Sequence, residues 1–191
     1  MEMTISPAIP EDAGFIADVV LGAIGEEHTL HMAGAPERVP LVHKVFKRLA
    51  ARKDSQYSYC NTIVARTPDG KLAGAAISYD GARLRELRRA FIEEANAILG
   101  WNLTEEQFTD ETSPDELYLD SLMVLPEFRG NGLGSKLISA TREKAREAGK
   151  PLGLLVDFEN PKARSLYSSI GFVSAGIRPF AGKDMEHMLL Y

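Results

Sequence analysis

The residues best suited to chemistry lie in one strand-to-helix junction, Leu122-Met123-Val124-Leu125-Pro126-Glu127-Phe128-Arg129-Gly130-Asn131-Gly132-Leu133-Gly134-Ser135. Glycines at 130, 132 and 134 carry no Cβ, so a ligand can approach the backbone closely. Their N–H groups fall at the start of a helix, where donors are unpaired and the macrodipole is positive. A pyrophosphate suits that place, and Arg129 adds a charge-assisted contact. A tight turn that merely needs glycine is the plainer reading. Three glycines in five residues, directly before an amphipathic helix, favour the ligand. Gly130, Gly132 and Ser135 also nearly spell a dinucleotide fingerprint, with Asp157 placed as the ribose acid. Ser135 stands where the third glycine belongs, however, and residues 126–129 make the loop longer than that fingerprint allows. Too little chain follows to complete a doubly wound sheet.

The elements that must position this loop follow from pattern. Leu117–Val124 reads as a strong strand. Leu133, Leu137, Ile138, Thr141, Ala145 and Ala148 mark the next helix, closed by Gly149. The apolar run 152–158 reads as a buried strand. Pro161–Ile170 reads as a short helix with Asn160 as cap and Gly171 as stop. Residues 172–174 and 185–190 are closing strands. In the first half, residues 4–8 form a weak strand. Pro10 opens a helix carrying Phe15, Ile16, Val19, Val20, Ala23 and Ile24 on one face. Residues 26–34 read as a polar loop, and Val42, Val45, Phe46, Leu49 and Ala50 mark a second helix. Thr62–Arg66 and 72–79 flank Thr67-Pro68-Asp69-Gly70, the signature of a β-hairpin. Leu84, Leu87, Phe91, Ala95 and Ile98 mark a third helix. An acidic loop follows, with a capping box at Thr104 and Gln107.

The 191 residues carry a net charge of -5, with 45% hydrophobic and 26% charged residues. That is ordinary for one globular domain and speaks against duplex nucleic acid as partner. One cysteine, Cys60, excludes an internal disulfide and a thiolate metal cluster. The sequence shows neither a signal peptide nor an apolar stretch of bilayer length. A cytoplasmic protein without membrane partners is expected.

Residues 129–134, Arg-Gly-Asn-Gly-Leu-Gly, resemble the acetyl-CoA motif of the GNAT N-acetyltransferases, Gln/Arg-x-x-Gly-x-Gly/Ala, with its Val-x-Pro-x-x-Arg approach at 124–129. A second stretch, 156–172, resembles the family's strand, its Asn-x-x-Ala-x-x-Leu-Tyr helix and its Gly-Phe ending. The two motifs cover about the last 80 residues, in the family's order. The resemblance implies a single α/β domain over 1–191. Its central sheet is mixed but mostly antiparallel and flanked by helices, with a helical insertion at about 80–116 between the hairpin and the cofactor strand.

It also implies acetyl-CoA as co-substrate, a primary amine as acceptor, on a small molecule ahead of a peptide terminus, no metal, and a possible homodimer. Arg129, Gly130, Asn131, Gly132, Leu133, Gly134 and Ser135 would hold the pyrophosphate. Leu122, Met123 and Val124 would pair with the pantetheine arm, with Leu122 or Met123 supplying an oxyanion N–H. Asn160 would both cap its helix and lie near that arm. Tyr167 would protonate the departing thiolate, although taken alone it reads as a core tyrosine.

Attack on a thioester needs a neutral amine and therefore a base. Glu116, Tyr118, Asp120 and Leu122 alternate onto one strand face unless a bulge intervenes. Asp120 is the first candidate and Glu116 the second. Glu26, Glu27, His28 and His31 are surface residues or line the acceptor pocket. Their loop-like spacing is weak for a metal. Arg83, Arg85, Arg88 and Arg89 form the solvated side of the third helix or, less simply, an anion site. The 80–116 insertion is expected to cover the acceptor side, with a dimer contact as the alternative. A non-catalytic acyl-CoA sensor on the same fold is the competing function.

Overall fold

A computed structural model describes residues 3–191. Seven strands form one sheet in the order β1-β2-β3-β4-β5-β7-β6. They are β1 (Thr4–Pro7), β2 (Thr62–Arg66), β3 (Leu72–Asp80), β4 (Leu117–Val124), β5 (Leu152–Asp157), β6 (Val173–Phe180) and β7 (Lys183–Leu190). All neighbours run antiparallel except β4 and β5. That parallel pair is joined at only two positions, Leu117 with Leu152 and Tyr118 with Gly153. Beyond them the strands splay, and the sheet opens into a wedge.

The α-helices among the described residues are α1 (Ala13–Ile24), α2 (Glu26–Ala33), α3 (Val39–Ala51), α4 (Leu84–Leu99), α5 (Leu133–Glu147) and α6 (Pro161–Ile170). The sheet separates two cores. On one face α5 packs Leu133, Leu137 and Ile138 against Leu117, Leu119, Leu152 and Leu154, and α6 adds Ala163, Tyr167 and Ile170. On the other, α1, α3 and α4 bury Ile16, Val20, Val45, Phe46 and Leu49 over Val64, Ala75 and Ile77. Residues with alternating strand periodicity thus feed two opposite helical layers.

Residues 26–34 are not a loop. They form α2, bracketed by Gly25 (φ 84°) and Gly34 (φ 74°), whose left-handed backbones terminate helices. Thr29 Oγ1 donates to Gly25 O at 2.8 Å and is buried with Ala33. The glycines that suggest a loop are its boundaries.

α4 also departs from expectation. Its apolar stripe is covered within the chain. Ala90, Ala95 and Leu99 join the α1–α3 core, and Phe91 lies 6.0 Å from Phe46 and 6.4 Å from Tyr57, ring to ring. Leu84 and Leu87 cover Tyr79 and Tyr118. Each large apolar side chain buried this way contributes on the order of 2 kcal/mol, so α4 is part of the core. The stripe packs on the chain's own core, and no residue of α4 lines the cleft between β4 and β5. Arg83, Arg85 and Arg89 are exposed as expected, but Arg88 is buried. No helix among the described residues is long and apolar enough to cross a membrane.

Candidate active site

The wedge between β4 and β5 is a cleft of about 780 Å³, a size that suits a small-molecule site. One wall is β4 with the loop after it. The other is β5 with α6, and Gly22 and Ala23 at the end of α1 close one end.

The loop is shaped by its sequence. Pro126 starts a 3₁₀ turn over Pro126–Phe128, and Lys71 reaches from the β2–β3 hairpin to Glu127 (3.2 Å) and over the Phe128 ring. Gly130 (φ 79°) and Gly132 (φ 70°) are left-handed, and a Cβ on either would meet open space. Their glycine requirement is therefore backbone geometry as well as ligand access. α5 starts with no side-chain cap, and its first internal bond is Lys136 N to Gly132 O at 3.1 Å. The N–H groups of Leu133, Gly134 and Ser135 thus have no acceptor within the helix, and the positive end of the macrodipole meets the cleft. This donor set fits the pyrophosphate of acetyl-CoA. Arg129 Nε donates to Val124 O at 2.9 Å, which ties the side chain back to β4 and orients the guanidinium.

Leu122, Met123, Val124, Arg129, Gly130, Gly132, Leu133, Gly134, Ser135 and Asn160 all line the cleft. Asn131 does not. Its amide donates to Arg129 O at 3.3 Å, bracing the loop from outside. Asn160 Oδ1 accepts from Ala163 N at 3.1 Å and caps α6. Tyr167 lines the cleft, half-buried, with its ring 5.6 Å from that of Phe172. Burial raises its hydroxyl above the ordinary tyrosine value, so it stays protonated.

The two acids on β4 have different environments because the strand is bulged. Ile77 pairs with Ser121 and Ser78 with Leu119, which leaves Asp120 as the extra residue. The bulge breaks the regular alternation. Tyr118 shares the α4-side core with Tyr79, whereas Leu122 packs on the α5 side. Asp120 turns into the cleft. Its Oδ1 accepts from Ser121 Oγ at 2.8 Å, and its Oδ2 lies 3.4 Å from Tyr79 Oη. Burial pushes its carboxyl up to about 7. The nearby charge of Glu111 adds to this, and the Ser121 and Tyr79 hydroxyls oppose it.

Glu116, the second candidate base, does not line the cleft and is committed elsewhere. It accepts from Thr112 Oγ1 (2.6 Å) and Ser113 N (2.9 Å) and stands 2.7 Å from His187 Nε2. Burial opposes its charge, but these partners prevail and hold it below the usual glutamate value. Its carboxylate also fills the space a Cβ at Gly153 would need, so it anchors the joined end of β4 and β5.

Several site residues escape sequence reasoning. Behind Asp120, Tyr79 Oη lies 2.9 Å from Glu111 Oε1. Gln56 Nε2 donates to both (3.3 and 3.0 Å), and Arg88 Nη2 donates to Glu111 Oε2 at 2.7 Å. One signal was present. Arg88 is four residues after Leu84 and three before Phe91, on the apolar side of α4, where an arginine implies a buried partner. No residue of the 81–116 segment lines the cleft. The segment reaches the site from behind, through Glu111. Asp157, on the cleft wall, accepts from Glu159 N at 2.8 Å and pairs with Lys183 at 3.2 Å, and these partners hold its carboxyl below the ordinary aspartate value. No cluster of three or more metal-ligating side chains forms among the described residues.

The comparisons with known proteins agree with this architecture. A solved acetyltransferase structure superposes with a TM-score of 0.78 at 31% identity, covering 98% of each chain. An uncharacterized N-acetyltransferase, YhfO, of Bacillus subtilis (strain 168) is 33% identical over 81 residues, 42% of this chain and 54% of that one. The thialysine N-epsilon-acetyltransferase of Bos taurus is 41% identical over 56 residues, 29% of this chain and 33% of that one. The chain thus spans about half the length, or less, of these two curated relatives. The Acetyltransferase (GNAT) family model matches residues 38–172. That match runs from the start of α3 past the end of α6 and takes in both walls of the cleft, so the chain belongs to the GNAT acetyltransferase family.

Proposed function

We propose that the protein is an acetyl-CoA-dependent N-acetyltransferase acting on the primary amine of a small molecule by direct attack on the thioester. The observation that carries this reading is the arrangement of the cleft. Free N–H donors stand at the α5 end, Asp120 at the α1 end, and Tyr167 on the opposite wall. The N-acetyltransferase relatives, one of them named for thialysine, support an amine acceptor.

Acetyl-CoA supplies the activated acyl group. Leu133, Gly134 and Ser135 N–H with Arg129 bind its pyrophosphate, and Leu122 to Val124 align the pantetheine arm along the open edge of β4. Asp120, ionised above about pH 7, takes the proton that the acceptor ammonium must lose. The amine nitrogen then bonds to the acetyl carbon as the carbon–sulfur bond breaks. An N–H of Leu122 or Met123 stabilises the charge on the carbonyl oxygen. Tyr167 gives its proton to the departing sulfur and is restored by the second proton that the nitrogen sheds as the amide forms, so the products are the acetamide and CoA, with the ammonium proton on Asp120.

The test is a free-thiol assay with acetyl-CoA across a library of small amines, run beside thermal shifts with acetyl-CoA alone. A shift with turnover on at least one amine supports the enzyme. A shift with no turnover on any amine leaves a sensor on the same fold. Absence of a shift at millimolar acetyl-CoA removes the cofactor assignment.

A further inference from the structure

Tyr79 has one hydroxyl proton and two carboxylates within reach. Glu111 Oε1 is 2.9 Å away and Asp120 Oδ2 is 3.4 Å away. A tyrosine hydroxyl donates once and accepts twice. Gln56 Nε2, at 3.3 Å, occupies one acceptor position. Glu111 is buried yet keeps two other donors, Arg88 Nη2 (2.7 Å) and Gln56 Nε2 (3.0 Å). Arg88, itself buried, is held by Glu105 (2.7 Å) and Asp110 (3.2 Å) and lies over the Phe108 ring. Glu111 can therefore release the Tyr79 proton and remain paired. Among the described residues, Asp120 has only Ser121 besides Tyr79.

Two arrangements satisfy every group. With Asp120 protonated, its O–H donates to Tyr79 Oη, and Tyr79 donates to Glu111. With Asp120 ionised, the Tyr79 hydroxyl turns to Asp120, and Glu111 rests on Arg88 and Gln56. We propose that Tyr79 is a two-position proton donor shared between Glu111 and Asp120. Through it, the 80–116 segment, pinned by Arg88, sets how readily Asp120 accepts a proton at the cleft. Tyr79 and Glu111 are positioning residues, since neither lines the cleft. The role of this network in turnover rests on the reading of Asp120 as base.

The other groups that feel the charge of Asp120 are few. Tyr57 faces it from the loop after α3 and Tyr118 from its own strand. Glu111 arrives from the 80–116 segment, with Arg88 beyond it. α1 presents Gly22 and Ala23 to this end of the cleft and β5 presents Leu155, none of which titrates. Glu111 is thus the charged neighbour and Tyr79 the movable donor. Removing each must act in opposite directions. Glu111→Gln deletes a like charge and frees the Tyr79 proton, which favours ionised Asp120. Tyr79→Phe deletes a donor to the carboxylate, which disfavours it.

The experiment titrates the Asp120 carboxyl by carbon NMR in side-chain-labelled protein, assigned by its loss in Asp120→Asn. The acidic limb of kcat/KM against pH is measured beside it. Expected midpoints move down by about one pH unit in Glu111→Gln and up by about one in Tyr79→Phe, and the rate limb follows both. If the carboxyl midpoints move oppositely while the rate limb stays, the shared-proton network stands and Asp120 is not the base. Unmoved carboxyl midpoints, or midpoints shifted in the same direction, overturn the network whatever the kinetics show. Tyr79→Phe keeps the ring contact with Tyr118 (5.6 Å). Should Glu111→Gln fail to fold, the upward move in Tyr79→Phe decides alone.

Discussion

At the α5 end of the cleft the polar groups are backbone N–H donors delivered by one continuous stretch, residues 129–135. At the Asp120 end they are side chains from four separate segments, led by Gln56, Tyr79, Glu111 and Asp120 itself. The first end is open, uncapped and built on glycine. At the second, the groups behind Asp120, namely Gln56, Tyr79 and Glu111, are buried and hydrogen-bonded to one another. A phosphate site needs donors and room, which backbone supplies without long-range assembly. A base working near neutral pH needs its proton affinity raised, and only burial with chosen neighbours does that. The two ends should therefore respond to substitution differently, in binding at one and in pH dependence at the other.

The largest effect is expected at the buried end. Asp120→Asn should lower kcat/KM by about 10²–10⁴-fold and remove the acidic limb near pH 7, with acetyl-CoA affinity little changed. The same change should stabilise the fold at alkaline pH. The folded value of about 7 lies above the ordinary aspartate value of 3.8, so the folded state binds more protons than the unfolded chain between those values. The stability this carboxyl contributes is complete below about pH 4 and lost as pH rises through 7. At pH 8, urea unfolding of Asp120→Asn should show a gain of up to about 4 kcal/mol over wild type, shrinking to nothing near pH 4. A retained limb, or a loss of stability at pH 8, would remove Asp120 as a desolvated base.

Next is the open end. Gly132→Val places a β-branched residue at φ 70° and should raise KM for acetyl-CoA by roughly 100-fold, but at a backbone cost of about 1–3 kcal/mol. Gly134→Ala separates the two effects. Its Cβ would meet only Val124 Cγ2, at an ordinary 4.0 Å, so the melting temperature should hold while the acetyl-CoA shift shrinks. An intact shift in Gly134→Ala would mean that no phosphate lies against this turn.

Tyr167→Phe should lower kcat by about 10-fold with KM for acetyl-CoA nearly unchanged. Unchanged kcat under conditions where chemistry limits the rate returns Tyr167 to a packing role beside Phe172.

The contrast between the two ends also explains what could be read from sequence. The glycine loop, the helix after it and the Asn160 cap are local, so residue type and spacing determine them within a few positions. Asp120 was legible as a candidate, but the bulge that turns it into the cleft is a register shift against β3 and has no local signature. Glu116 looked equivalent four residues earlier, yet its partner His187 is 71 positions away. Tyr79 and Glu111 meet across 32 positions. β6 ran longer than expected because it closes on a two-residue turn, Ala181 (φ 51°) and Gly182 (φ 79°). That geometry suits a hairpin, but alanine seldom announces it. α2 was hidden because its bounding glycines read equally as loop.

The smallest effect concerns Asn160, which belongs to both descriptions. Its Oδ1 caps α6 through Ala163 N, and the residue also lines the cleft. Asn160→Ala removes cap and amide together. It should cost about 1 kcal/mol and weaken acetyl-CoA a few-fold, which does not say which role matters. Asn160→Asp keeps a capping oxygen and adds a negative charge at a helix N-terminus, which favours the helix. It loses the Nδ2 donor and faces the cleft with a charge. If the amide touches the cofactor arm, the melting temperature of Asn160→Asp should match or exceed wild type while its KM for acetyl-CoA rises. If the residue is only a cap, both should stay at wild-type values and Asn160→Ala should change stability alone.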